Sequence, residues 1–192
     1  NPARFSLNLR IPEWCTDARV YVNDQFCPAQ PNDNGHVTLN RDWQSDDKVR
    51  LELPMPVRLV RSHPKNVANY GKAVIMRGPI VYCLEQIDNP ETDIFSLVVP
   101  RDGNWETEVD NDSLNGMVTL TGDALQRDDS AWDLQPYQDL SRATEAPMKS
   151  VKIKAIPYYA WANRGGSSMV TALFLQISQF TPWDATNLLI NQ

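Results

Sequence analysis

The sequence has few of the residues that usually build catalytic and metal centres. Its 192 residues include three cysteines, Cys15, Cys27 and Cys83, and two histidines, His36 and His63. The cysteines are an odd set without CxxC spacing, which argues against a disulfide framework and against a four-thiolate zinc site. We predict free, mostly buried thiols, with a Cys15 to Cys27 bridge as the alternative. We predict histidines that are exposed or locally hydrogen-bonded rather than paired on a metal.

Long hydrophobic runs and clusters of positive charge are also missing. No apolar stretch approaches the roughly 18–20 residues of a membrane-spanning helix. The formal net charge is −6, and lysines and arginines do not gather into a patch, which disfavours nucleic acid and anionic membranes as partners. The chain begins on Asn1 without an initiator methionine or a signal-peptide pattern, so we expect part of a longer protein.

What the sequence does contain is the period-two alternation of β-strands. Apolar and polar residues alternate along three stretches, residues 5–11, 18–22 and 49–59. Asn23-Asp24 suits a tight hairpin turn, and Pro54 and Pro56 predict that the third strand ends at an edge or leaves its sheet. Because helical periodicity is nearly absent, the sequence predicts an all-β fold. We expect two consecutive antiparallel β-sandwich modules with little or no helix.

The module boundary is predicted in a polar segment near residue 70. Residues 1–70 form the first module and residues 71–192 the second. A long irregular loop is predicted over residues 126–150, which have no sustained periodicity, and loops of this length are usually functional or mobile. The tail, residues 176–192, has too few apolar residues to assign.

The six tryptophans divide by their surroundings. Trp14 and Trp43 flank predicted strands, where an indole packs into the core. Trp105 and Trp132 lie in more polar sequence and are candidates for an exposed platform that contacts a sugar. The paired acids Asp46-Asp47 and Asp128-Asp129 point to opposite faces of an extended chain, so we interpret them as turn residues rather than as an acid/base pair.

The segment AIPYYAWANRG, residues 155–165, is the most informative stretch. It is interpreted as the end of a strand, an aromatic segment and a turn at Gly165-Gly166, between two strands predicted to pair at residues 151–155 and 169–175. Arg164 either anchors this turn or forms an ion pair at an interface. The candidates for a domain or subunit interface are Tyr158, Tyr159, Trp161 and Arg164.

Four stretches, in order, carry a family resemblance. They are LRIPEWC (9–15) with VYVN (20–23), LELPMPVR (51–58), RGPIVYCLE (77–85) and AIPYYAWANRG (155–165). On these motifs the chain resembles the C-terminal part of glycoside hydrolase family 127, the β-L-arabinofuranosidase-like group.

The resemblance implies a β-sandwich that leans on an (α/α)6 catalytic barrel, followed by a second sandwich that takes part in subunit contacts. In that family a cysteine nucleophile belongs to a zinc site of three thiolates and one carboxylate in the barrel, with a separate glutamate as acid/base. This chain has no Cys-Cys pair and no Glu-x-Cys, so none of those residues carries over, and Cys15 and Cys83 fall in sandwich motifs.

We therefore predict a non-catalytic C-terminal β region of a β-L-arabinofuranosidase-like hydrolase, inactive alone. Zinc is expected only in the barrel of the parent protein. The expected partners are that barrel and a second copy in a homodimer, with no nucleic acid or membrane, in the bacterial cytoplasm. The alternative is a free-standing carbohydrate-binding or protein-interaction β-sandwich module.

Overall fold

The computed structural model describes residues 2–28, 30–112, 114–130, 136–139, 141 and 146–176. Within these ranges the regular elements are β-strands, apart from three 3-10 turns of three residues each, Val67–Asn69, Gln86–Asp88 and Tyr158–Ala160. The prediction of an all-β fold is confirmed. No helix in this part of the chain has the length and apolarity to cross a membrane.

The chain divides into two compact units. Unit 1 consists of residues 1–57 and 77–79, and unit 2 consists of residues 58–76 and 80–192. This division falls earlier in the chain than residue 70. That each module is a β-sandwich stays a prediction.

Unit 1 is built from short antiparallel pairings. Its strands are β1 (Ala3–Arg10), β2 (Arg19–Val22), β3 (Gln25–Cys27), β4 (His36–Trp43) and β5 (Val49–Glu52). In the described residues β1 pairs with β4, and a second sheet has the order β3-β2-β5. Asn23 and Asp24, with φ angles of 51° and 62°, form the predicted hairpin turn between β2 and β3.

The core of unit 1 lies on the inward faces of these strands. It consists of Ile11, Val20, Val22, Val37, Leu39 and Trp43. Trp43 is buried as predicted, whereas Trp14 is half-buried. Phe5 of β1 is 49% exposed, although its ring stacks on that of Trp43 with 5.5 Å between the ring centroids.

Unit 2 holds the larger sheet. Its strands are β6 (Val57–Val60, whose first residue belongs to unit 1), β7 (Lys72–Arg77, whose last residue belongs to unit 1), β8 (Ile80–Glu85), β9 (Leu97–Val99), β10 (Trp105–Asp110), β11 (Met117–Arg127), β12 (Met148–Pro157), β13 (Met169–Val170) and β14 (Ala172–Leu175). Among the described residues these nine strands form one sheet in the order β13-β8-β12-β11-β9-β14-β7-β6, with β10 paired to β11. The most deeply buried part of β8 is its C-terminal half, where Tyr82, Cys83 and Leu84 are at most 1% exposed.

The alternating stretch at residues 49–59 is divided between two strands. It forms β5 and β6, separated by a segment that contains Pro54 and Pro56. β5 pairs with β2, whereas β6 pairs with β7 in the large sheet. Proline lacks the N–H that a ladder needs, so the predicted departure of this strand from its sheet is confirmed.

The predicted pairing of residues 151–155 with 169–175 is wrong. β12 pairs with β11 and β8, while β13 pairs with β8 and β14 pairs with β7 and, in parallel, with β9. Strands that are close in sequence often pair, but they need not do so. Each strand can instead form hydrogen bonds with a strand that is distant in sequence and adjacent in the sheet.

The irregular loop predicted at residues 126–150 is shorter in the structure, since β11 continues to Arg127 and β12 begins at Met148. Much of the stretch between them lies outside the described residues. The same is true of the tail after Gln176.

Candidate functional site

The three cysteines are free thiols placed in strands and turns. Cys15 and Cys83 are buried and Cys27 is half-buried. Burial, followed by the negative charges of Glu85 and Asp88, raises the pKa of Cys83 to about 12. Because the thiolate is the nucleophilic form, this thiol is unreactive at neutral pH.

The histidines and paired acids make local hydrogen bonds. His36 Nδ1 lies 2.9 Å from the carbonyl oxygen of Asn34, and His63 Nδ1 accepts from the backbone N–H of Lys65 at 3.1 Å. Asp47 accepts from the Asn23 side chain at 2.7 Å, which is the largest of the interactions that lower its pKa. Nowhere in the described residues do three His, Cys, Asp or Glu side chains group so that they could hold a metal ion.

The second pair of acids, Asp128-Asp129, also makes local hydrogen bonds within its turn. Asp128 accepts from the backbone N–H of Ser130 at 3.0 Å, and Asp129 forms a two-pronged ion pair with Arg127 at 2.6 and 2.8 Å. Hydrogen bonds with the Ser130 side chain and then with its backbone lower the pKa of Asp128, whereas the hydrogen bond with Arg127 lowers the pKa of Asp129, so each aspartate bonds to a different partner. The arrangement is that of turn residues, as the sequence indicated.

Of the two candidate sugar-contact tryptophans, Trp105 begins β10 and is half-buried. It lies opposite Gly122 of β11, and its ring covers that glycine so closely that an added Cβ would be 2.5 Å from Cε3. Part of the indole therefore packs on the sheet and part remains accessible. Trp132 lies outside the described residues.

The segment 155–165 folds as its sequence indicates. β12 ends at Pro157, and the 3-10 turn Tyr158–Ala160 follows. Ala160 is fully buried in a small cluster with Cys83, Leu114 and Ile156, so the last residue of the turn is fixed to the core. The aromatic side chains on either side of Ala160 point outward.

Arg164 holds the end of this segment through two buried carboxylates. Its guanidinium donates to Glu85 Oε2 at 2.7 Å and to Asp88 Oδ1 at 2.8 Å, with a further bond to Asp88 Oδ2. The hydrogen bonds that Arg164 donates to Asp88, and then to Glu85, raise the pKa of Arg164 above its ordinary value. Arg164 therefore anchors the turn, one of the two roles predicted for it. It does so through ion pairs with residues of its own unit.

Glu85 also supports an unusual backbone conformation. Its second oxygen, Oε1, accepts from the backbone N–H of Ala162 at 3.0 Å, and Ala162 has a φ of 62°. This left-handed region is uncommon for alanine. Both oxygens of a carboxylate that is 1% exposed are thus used to hold the turn, so Glu85 is not available to a ligand.

The rigid segment presents three aromatic side chains to solvent, which we call the aromatic surface: Tyr158, Tyr159 and Trp161. Their exposed fractions are 44%, 61% and 41%. Tyr158 and Trp161 stack with ring centroids 6.0 Å apart and planes inclined by 21°. Because the backbone beneath is fixed, these rings lose little conformational freedom when a partner covers them.

Sequence reasoning found Arg164 but missed both of its carboxylate partners. Glu85 is the last residue of β8 and Asp88 ends the following 3-10 turn. The one local signal for such a site was Glu85 itself, an acidic residue directly after a run of apolar residues, because a charge that is buried in a strand needs a partner. The partner itself is 79 residues away in sequence and has no local signature.

Comparison with known proteins agrees with this fold. The model of the beta-L-arabinofuranosidase GH127 middle domain matches residues 1–55, and that of the glycoside hydrolase family 127 C-terminal domain matches residues 57–172. The second match covers more than half of the chain. The chain therefore belongs to glycoside hydrolase family 127, as its C-terminal region.

Individual relatives point the same way. A non-reducing end beta-L-arabinofuranosidase of Bifidobacterium longum subsp. longum is 29% identical over 160 residues, 81% of this chain and 24% of that protein. The crystal structure of a GH127 beta-L-arabinofuranosidase from Geobacillus stearothermophilus superposes with a TM-score of 0.82 and 40% identity, over 91% of this chain and 27% of that one. A structure named a glycoside hydrolase superposes with a TM-score of 0.80 and 34% identity, over 91% of this chain and 28% of that one. The chain thus spans about a quarter of the length of these relatives.

Proposed function

We propose that this chain is the non-catalytic C-terminal β region of a β-L-arabinofuranosidase-like glycoside hydrolase. In this role it supports the (α/α)6 barrel of the parent protein and contributes to a homodimer. The observation that carries the proposal is that a middle-domain model and a C-terminal-domain model together account for residues 1–55 and 57–172. Relatives named as arabinofuranosidases extend well beyond this region.

The chemistry of the described residues supports a role outside the active site. Retaining hydrolysis needs a nucleophile and an acid/base held about 5–5.5 Å apart across the scissile bond. Here the pKa of the Cys83 thiol is raised, Glu85 and Asp88 are held by Arg164, and Asp47 belongs to a turn. We place the nucleophile, the acid/base and the zinc site in the barrel of the parent protein.

The aromatic surface is our candidate for the subunit contact. Aromatic residues are enriched in protein interfaces because they bury a large area at low cost in conformational entropy. Tyr158, Tyr159 and Trp161 are adjacent and more than two-fifths exposed, on a backbone fixed by the ion pairs of Arg164. A second copy of the parent protein is the partner that we propose for them.

The catalytic part of the proposal is tested with the isolated chain. We expect no hydrolysis of an aryl β-L-arabinofuranoside with or without added zinc, whereas the full-length parent protein turns over the same substrate. Zinc-dependent turnover by the isolated chain would contradict the proposal.

The interface part is tested in the full-length parent protein by sedimentation velocity. Tyr159→Ala combined with Trp161→Ala is expected to shift the dimer toward monomer. Phe95→Ala is the matched control, because Phe95 is a 56% exposed aromatic residue of the same unit that lies outside the aromatic surface. An unchanged dimer in the double variant would rule out this surface as the contact.

A free-standing carbohydrate-binding module is the alternative, and the accessible part of the Trp105 indole is what favours it. Calorimetry with arabinan and arabinogalactan oligosaccharides separates the two proposals. Saturable binding that is lost in Trp105→Ala or Trp132→Ala would support the alternative, and heats no larger than dilution would exclude it.

A further inference from the structure

Unit 2 contains a pocket that the supporting role does not use. It has a volume of about 120 Å³ and adjoins a second cavity of about 200 Å³, with Arg61, Arg101 and Leu175 lining both. All of the lining residues belong to unit 2, and the aromatic surface does not contribute to it. The pocket therefore needs an explanation of its own.

The pocket is positively charged within an acidic protein. Arg61, Lys72 and Arg101 line it, and none of its lining residues in the described ranges is an Asp or Glu, although the whole chain carries a formal charge of −6. In the described part of the chain, neither arginine takes part in a salt bridge. Both arginines are exposed residues, so water screens the repulsion between them, but a bound anion would be attracted by both guanidinium groups and could accept hydrogen bonds from them.

The third cation is held in place by its neighbours. Lys72 Nζ donates to the carbonyl oxygen of Ala68 at 3.3 Å and lies 5.4 Å from the ring centroid of Phe174. The backbone beside it is also fixed, since the N–H of Leu175 donates to the carbonyl oxygen of Gly71 at 2.9 Å. The wall of the pocket is therefore formed before any ligand arrives, which lowers the entropic cost of binding.

Neutral groups in the pocket indicate a ligand larger than a simple anion. The Ser62 hydroxyl is buried and has no hydrogen-bond partner among the described residues. Buried polar groups are nearly always satisfied, so rotation of the Ser62 side chain from this inaccessible position toward the pocket would give its hydroxyl a partner when a ligand is bound. Asn69 adds an amide and Tyr70, 47% exposed, adds an apolar ring face of the kind on which sugars pack.

From this combination we propose that the pocket binds an acidic sugar, with the carboxylate of a uronic acid between Arg61 and Arg101. The planar guanidinium fork fits a carboxylate in a two-pronged manner. The hydroxyl of Ser62 and the amide of Asn69 bond to ring hydroxyls, while the Tyr70 ring covers an apolar face of the sugar. This site is independent of the proposed support of the barrel and of the dimer.

The test is calorimetric titration of the 192-residue chain with D-galacturonate, D-galactose and inorganic phosphate. We expect saturable binding of galacturonate, at least about 10-fold weaker binding of galactose and of phosphate, and loss of affinity as NaCl is raised. Galactose bound as tightly as galacturonate would overturn the proposal. So would phosphate bound as tightly, because the sugar ring would then contribute nothing.

Variants locate the site. Arg61→Gln and Arg101→Gln are each expected to weaken galacturonate binding about 10-fold or more, and Ser62→Ala by a smaller factor. Arg10→Gln is the control, because Arg10 is an exposed arginine of β1 in unit 1. Arg61→Lys keeps the charge but not the fork and should fall between the wild type and Arg61→Gln. Circular dichroism confirms that each variant is folded, and affinities unchanged in both glutamine variants would overturn the proposal.

Discussion

Units 1 and 2 are both built from antiparallel strands, but they bury their cores to different depths. Most apolar core residues of unit 1 keep between 4% and 9% exposure, as Leu39 does at 9%, whereas most of those in unit 2 keep 2% or less. A sheet of few strands buries little apolar surface and is marginally stable alone. In a wide sheet the central strands have a neighbouring strand at both edges. Unit 2 therefore has the more complete core.

The two units also differ in how they use charge. Arg50 in unit 1 pairs with Glu52 while its side chain is 49% exposed, and such surface pairs contribute little. In unit 2 the side chains of Arg164, Glu85 and Asp88 are 18%, 1% and 7% exposed. A buried cluster contributes little net stability relative to apolar residues, but the loss of one member is costly.

The largest expected effect is on this buried cluster. Arg164→Ala leaves Glu85 and Asp88 buried without their cation, and we expect a loss of about 3–5 kcal/mol in the free energy of unfolding, measured by urea denaturation. Arg127→Ala is the control, because its pair with Asp129 is about 40% exposed and should contribute below about 1 kcal/mol. Adding Glu85→Gln and Asp88→Asn to Arg164→Ala should recover part of the loss. Equal losses of unfolding free energy in Arg164→Ala and Arg127→Ala would mean that burial does not make the Arg164 cluster more important than the exposed pair.

A matched pair of leucines compares the cores directly. Leu120 in unit 2 is fully buried and Leu39 in unit 1 is 9% exposed. Leu120→Ala is expected to cost about 4 kcal/mol and Leu39→Ala about 2 kcal/mol, since a cavity costs most where the surroundings cannot relax. Thermal and urea unfolding of both variants gives the values. A larger loss for Leu39→Ala would reverse our comparison of the units.

Packing on the large sheet gives a third, smaller effect. Gly122→Ala places a Cβ 2.5 Å from the Trp105 ring, so the ring must move, and we expect a loss of about 1–3 kcal/mol. The Trp105 fluorescence should change as well. Gly166→Ala is the control, because nothing lies within 4 Å of the added carbon, and it should be neutral or slightly stabilising. A neutral Gly122→Ala would show that Trp105 is not packed on the sheet.

The smallest effect is a pH dependence from Cys83. Its pKa is about 12 in the folded protein against an ordinary 9.0, so the folded state keeps a proton that the unfolded chain loses. This contribution to stability is fully present below pH 9 and is lost progressively between pH 9 and 12, by about 1 kcal/mol at pH 10. Urea unfolding at pH 8 and 10 measures it. The decrease in the free energy of unfolding between pH 8 and pH 10 should be smaller by about 1 kcal/mol in Cys83→Ala and unchanged in Cys27→Ala. Identical decreases in the two variants would contradict this prediction.

Much of the fold could be predicted from short stretches of sequence. The alternation of apolar residues predicted an all-β chain, Asn23-Asp24 predicted the hairpin, and Pro54 with Pro56 predicted a break between strands. Each of these features depends on the residues themselves and their close neighbours, because side-chain period, left-handed turns and missing N–H groups are local properties. The order of the strands was not predictable in this way, and the predicted pairing of residues 151–155 with 169–175 was wrong.

The candidate sites show the same limit. The sequence identified Arg164 and the aromatic residues beside it, but not Glu85 and Asp88, which bond to Arg164 across more than 70 residues of chain. Nor did it indicate that Arg61 and Arg101 line one pocket. Ion pairs and cavities depend on which strands become neighbours, and that choice is made by burial over the whole sheet rather than by any short segment.

The class of the chain, its turns and its family likeness could thus be predicted from sequence, because they depend on local periodicity and on motifs of a few residues. Which charges meet depends on the tertiary fold. It held the segment 155–165 rigid by burying the partners of Arg164, and it gathered three cations of an acidic protein around one pocket. The physical reason is that a charge or a polar group acquires its role from its neighbours in space, and those neighbours are set when the sheet assembles.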